Sequence, residues 1–89
     1  METIMESAKN ETVTVTFNGA DKTIDYQPHA AVQALLAHAK EAFGAQSDHR
    51  LSLFTEGGVE LDDSKSAVEA GIIPGALLVL RQSTVKGGA

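Results

Sequence analysis

The chain has 89 residues, 43% of them apolar but only 4% aromatic, which suits one small domain with an aliphatic core. Its net charge of −5, with seven basic residues that form no stripe, argues against nucleic acid binding by phosphate neutralisation. It has no cysteine, hence no disulfide framework and no thiolate nucleophile, and no apolar run near the roughly 20 residues that span a membrane.

Residues 1–11 carry Glu2, Glu6 and Glu11 against Lys9. They lack the basic region and apolar stretch of a signal peptide, and a disordered or frayed leader is expected there. Thr12-Val13-Thr14-Val15-Thr16-Phe17 alternates strictly and is β-branched almost throughout. This predicts a half-buried strand with Val13, Val15 and Phe17 inside. Asn18-Gly19 supplies the positive φ angles of a hairpin turn, and Thr23 to Gln27 alternates again until Pro28, burying Ile24 and Tyr26.

The period then changes. Val32, Leu35, Leu36, Ala39 and Phe43 form one apolar stripe of a helix over about Ala30 to Phe43, stopped by Gly44. His29 is a poor N-cap beside Pro28, so the start of the helix is left open. Leu51 to Phe54 predicts a third strand, Glu56-Gly57-Gly58 a turn, and Val59-Glu60-Leu61 a short fourth strand. Ser66-Ala67-Val68-Glu69 fits a capping box, and Gly71 closes the helical turn it starts. After a Pro74-Gly75 turn, Ala76-Leu77-Leu78-Val79-Leu80-Arg81 is the last strand and the most apolar.

Residues 82–89 show no helical or strand period. Gln82, Ser83, Thr84, Val85 and Lys86 lead to Gly87-Gly88-Ala89. Without a Cβ the two glycines make a slender, flexible tail that threads a groove closed to larger side chains, although Gly-rich linkers have the same composition. The expected organisation is a leader over 1–11, a domain over 12–81 and a tail over 82–89.

Chemistry inside the domain is sparse. His29, His38 and His49 lack the paired spacing of a metal site. Asp62-Asp63 reads as a solvated, capping turn, and Gly57-Gly58 lacks the pattern of a phosphate loop. Ser83 and Thr84 have no base near them in sequence. No catalytic residue, metal or cofactor is expected, and the chain is not expected to be an enzyme.

The order strand, strand, helix, strand, short strand, helical turn, strand, followed by Gly-Gly, resembles ubiquitin and its β-grasp relatives. The resemblance runs from Thr12 to Gly88. Its best local matches are Arg50-Leu51, Leu61-Asp62-Asp63, the turn leading to Ile72, and Leu78-Val79-Leu80-Arg81. It implies an α+β, ubiquitin-like β-grasp: a ββαββ mixed sheet packed on one helix, with a short extra helical turn and with the first and last strands parallel at its centre. The tail is longer than that of ubiquitin and lacks its second arginine. Ala89 after the glycines is similar to the extension of modifier precursors. A one-residue extension with a divergent helix is most similar to bacterial ubiquitin-like proteins of ubiquitination-like operons.

The resemblance implies a protein modifier. A processing peptidase, of the JAB type or another, would cut between Gly88 and Ala89. An activating enzyme would adenylate the Gly88 carboxylate with ATP and magnesium and take it as a thioester. A conjugating enzyme would then join Gly87-Gly88 to a target protein by an isopeptide or ester bond. The modifier would be a cytoplasmic monomer before conjugation, with neither nucleic acid nor membrane among its partners. The resemblance also makes the third and last strands neighbours. By alternation Leu78 and Leu80 face the helix, while Ser52, Phe54, Leu77 and Val79 point outward. Phe54, Leu77 and Val79 would form an apolar partner-binding patch edged by Arg81, on the face ubiquitin uses for partners. Two alternatives stand beside this: a sulfur carrier with a C-terminal thiocarboxylate, which Ala89 and the leader count against, and a non-conjugated β-grasp interaction domain.

Overall fold

The computed structural model describes residues 11–84. The leader expected over 1–11 falls outside the described residues except for Glu11, as do Val85, Lys86, Gly87, Gly88 and Ala89. Within the described residues the order is β1 (Glu11–Phe17), β2 (Ala20–Tyr26), α1 (Val32–Ala42), β3 (Leu51–Thr55) and β4 (Leu77–Gln82).

The alternation of β1 does what it predicts, burying Val13 and Val15 while Thr12, Thr14 and Thr16 remain at least partly accessible. Asn18 and Gly19 take φ of 53° and 84°, the two positive values whose twist matches the flanking strands. β2 consequently pairs antiparallel from Ala20 onward, with Phe17 opposite Ala20 and Glu11 opposite Tyr26. It begins earlier than alternation predicts because Ala20, Asp21 and Lys22 are all exposed and leave no buried-exposed period to read.

The stripe of α1 buries Val32, Leu35, Leu36 and Ala39. Its N-cap, Ala31, offers no side-chain acceptor. The Val32 N–H instead donates to the Lys65 carbonyl at 2.7 Å and the Gln33 N–H to the Asp63 carbonyl at 3.1 Å. A loop distant in sequence thus caps the helix, satisfying amides that would otherwise lack partners. At the other end Gly44 has φ 70°. Its N–H donates to Glu41, and that of Ala45 to Lys40, the paired bonds of a Schellman motif.

Ser66 and Glu69 form the expected capping box. Glu69 N–H donates to Ser66 Oγ at 3.1 Å and Ser66 N–H to Glu69 Oε1 at 3.0 Å. The segment is a series of turns rather than a regular helix. The expected strand Val59-Glu60-Leu61 is corrected to a single bridge between Phe54 and Glu60. The return begins well, with Thr55 N–H donating to the Val59 carbonyl and Leu61 N–H to Leu53. Then Asp62 Oδ1 accepts both the Ser64 N–H and its hydroxyl, and that turn ends the ladder.

The four strands lie in the order β2-β1-β4-β3. β1 and β4 are parallel at the centre, with Val15 opposite Leu78, as expected; β3 is antiparallel to β4, with Leu53 opposite Leu80. Helix and sheet enclose one aliphatic core around Val15, Val32, Ala39 and Leu53, all fully buried. Leu36→Ala is expected to cost about 2 to 5 kcal/mol in a urea titration, by leaving a cavity between helix and sheet. A loss below about 1 kcal/mol is what a surface site gives, and would mean that Leu36 is not part of the core.

Candidate partner face and the root of the tail

The face of the sheet away from α1 carries every described residue of the expected patch. Phe54 on β3 lies opposite Val79 on β4, and Ser52 lies opposite Arg81. Leu77 and Val79 are half-buried and Arg81 is exposed. The pairing sets Phe54, Val79 and Arg81 side by side, with Leu77 two residues along β4 from Val79, but two expectations of exposure are corrected. Phe54 is 2% exposed and Ser52 0%. Alternation assigns a side chain to a face without saying what lies on that face. Here the return segment bridges Phe54 at Glu60, and the Arg81 guanidinium carbon stands 4.6 Å from the centre of the Phe54 ring. The accessible patch is therefore Leu77, Val79 and the arginine. Phe54 acts as its floor, with the ring and the cation attracting one another.

Below this patch the chain leaves the sheet by a route the sequence did not disclose. Gln82 is still part of β4, and the Ser83 N–H donates to the Arg50 carbonyl at 2.7 Å. The Glu60 carboxylate then takes both following side chains. Ser83 Oγ donates to Oε2 at 2.5 Å. The Thr84 N–H and hydroxyl both donate to Oε1, at 3.1 and 2.8 Å. Hydrogen bonds favour the charged form of an acceptor. Those from Ser83, then Thr84, hold the Glu60 carboxyl below the usual carboxylate range. The aperiodic stretch beginning at Gln82 is thus tied to the domain at its root. Gly87, Gly88 and Ala89, the expected conjugation and processing residues, lie outside the described residues.

On the helix side, at the β2 edge, a cleft of about 360 Å³ is lined by Tyr26, Ala30, Ala34, Leu35, His38 and Ala67, among others. The buried Tyr26 hydroxyl meets no hydrogen-bond partner among the described residues; burial and the Glu11 carboxylate raise its pKa. Among the described residues no three His, Asp or Glu side chains are grouped to hold a metal ion. No described helix is long and apolar enough to cross a membrane. Glu60, Ser83 and Thr84 went unread as a group because their partnership is tertiary and no local spacing announces it.

No protein-family model matches the chain, and no curated protein matches it in sequence. Solved structures do match. A de novo design based on ubiquitin superposes with TM-score 0.74 at 23% identity, over 91% of this chain and 98% of the design. The fold is the ubiquitin-like β-grasp. An Arabidopsis thaliana protein shares this β-grasp at TM-score 0.71 and 22% identity, over 90% of this chain and 94% of its own. The N-terminal ubiquitin-like domain in the 4931431F19Rik protein does so at 0.71 and 17%, over 91% and 82%. At these identities the likeness is one of fold.

Proposed function

We propose that the chain is a ubiquitin-like modifier of the kind encoded in bacterial ubiquitination-like operons, working in the cytoplasm as a protein substrate and not as an enzyme. The reading is carried by one observation: β4, the strand next to β1 at the centre of a ubiquitin-like β-grasp, leads through Ser83, Thr84, Val85 and Lys86 directly to Gly87-Gly88. A peptidase would free the Gly88 carboxylate by removing Ala89. An activating enzyme would adenylate that carboxylate with ATP and take the acyl group onto a cysteine, and a conjugating enzyme would pass it to a target. An acyl carbon on glycine is unhindered, so attack by thiolate, amine or hydroxyl meets little steric resistance. The domain, bound at a distance from the reacting atom, supplies the energy that positions it.

Leu77, Val79 and Arg81 are the surface offered to these partners. Val79→Asp is expected to weaken binding of an activating enzyme about tenfold, a loss of about 1.4 kcal/mol, while shifting the thermal midpoint little, since Val79 is only half-buried. Equal affinity for both proteins would remove this face from the mechanism.

The modifier reading is tested by incubating protein ending at Gly88 with the cognate activating enzyme, ATP and magnesium, and measuring a thiol-sensitive adduct by mass. With a sulfurtransferase carrying a persulfide added as sulfur donor, an exchange of one oxygen for sulfur at the terminus would favour the sulfur carrier. A non-conjugated interaction domain is the second reading, favoured by the match to a ubiquitin-like domain that forms the N-terminal part of another protein. It predicts no adduct of either kind.

A further inference from the structure

We propose that Glu60 is a positioning residue for the diglycine. By holding Ser83 and Thr84 on its two carboxylate oxygens, it fixes the point on the domain from which the chain departs toward Gly88. The inference rests on the modifier reading and adds a determinant of transfer outside the tail.

The geometry is specific. Oε2 takes one residue and Oε1 the next, the latter through both backbone and side chain, so one side chain accounts for all three contacts. Glu60 is itself held, because its backbone bridges to Phe54 and the neighbouring Leu61 N–H donates to Leu53 at 2.8 Å. The carboxylate therefore stands on a segment anchored to β3. Two hydroxyl residues in succession after a strand are what a bidentate carboxylate needs, and a pair of apolar residues there would give it a single donor, the backbone amide.

Reach shows the consequence. From Thr84 to Gly88 the chain spans at most about 14 Å, at about 3.5 Å per residue. Freeing Thr84 and Ser83 lengthens that tether by up to about 7 Å. Misplacement by about 1 Å at a reacting centre already costs about a hundredfold in rate. A shorter, fixed tether therefore favours transfer after the domain has docked, without adding to docking itself.

The test compares wild type, Glu60→Ala and Glu60→Gln, each ending at Gly88. In the free proteins, the Thr84 amide is expected to exchange about tenfold faster in Glu60→Ala, a local opening that leaves core amides such as Leu53 unchanged. In charging by the activating enzyme, Glu60→Ala is expected to lower kcat about tenfold with KM within about twofold, the pattern of an interaction that matters after binding. Glu60→Gln, which keeps an acceptor oxygen, recovers part of both. A purely structural role would lower the thermal midpoint and leave this kcat-against-KM split absent. Unchanged Thr84 exchange in Glu60→Ala overturns the inference. So does wild-type charging matched by Glu60→Ala in kcat, which leaves the modifier reading standing. Wild type that does not charge sinks the modifier reading and this inference with it.

Discussion

Phe54→Ala is expected to lower the stability of the domain by about 3 to 5 kcal/mol, the usual cost of emptying a large aromatic site. The ring is 2% exposed, sits across from Val79 and lies beneath the Arg81 guanidinium. Small domains have about 5 to 15 kcal/mol in total, so this one truncation removes a large part of the reserve. The loss should be visible as a lower urea midpoint with little change in slope. Arg81→Ala serves as the control. Its side chain is exposed, and an exposed cation over an aromatic ring contributes about 0.5 to 1 kcal/mol, so the two variants should differ several-fold. If Phe54→Ala costs no more than Arg81→Ala, the ring is a surface group after all and belongs to the docking patch instead of its floor.

The second large effect lies at Gly88. Protein carrying Ala89 is expected to charge at least about a hundredfold more slowly than protein ending at Gly88. One additional residue moves the terminal carboxylate by about 3.5 Å, and adenylation requires that carboxylate at a fixed place beside the nucleotide phosphate. Gly88→Ala in protein ending at residue 88 should also slow transfer, because it sets a Cβ against the carbon under attack. Single-turnover measurements with activating enzyme in excess separate this chemical loss from weaker docking. Equal charging of the forms ending at Gly88 and Ala89 would sink the precursor reading.

Where a feature is local, the residues announce it. The Asn18-Gly19 turn, the stripe of α1 and the reciprocal Ser66–Glu69 cap are each set by neighbours within a few positions, and each is found where the sequence places it. Features made by distant segments are silent. The start of α1 is obscure because its first amides are satisfied by Asp63 and Lys65, and no residue near Ala31 records that. The exposure of Phe54 and Ser52 is misread for a related reason: alternation fixes a face, while the return segment and a long cation decide whether that face is dry. The candidate site divides in the same way. Leu77, Val79 and Arg81 follow from the strand period, whereas Glu60 joins Ser83 and Thr84 only once β3 and β4 are paired.

The parallel placement of β1 and β4 also bears on how the domain resists being pulled. Traction on the tail is transmitted along β4, which is flanked by β1 on one side and β3 on the other. A strand dragged along its own axis loads its lateral hydrogen bonds together, whereas an edge strand peeled sideways breaks them one at a time. Force applied between the start of β1 and the end of β4 therefore loads that parallel pair in shear. Along that path the carboxylate bonds at Ser83 and Thr84 stand ahead of the β4 ladder.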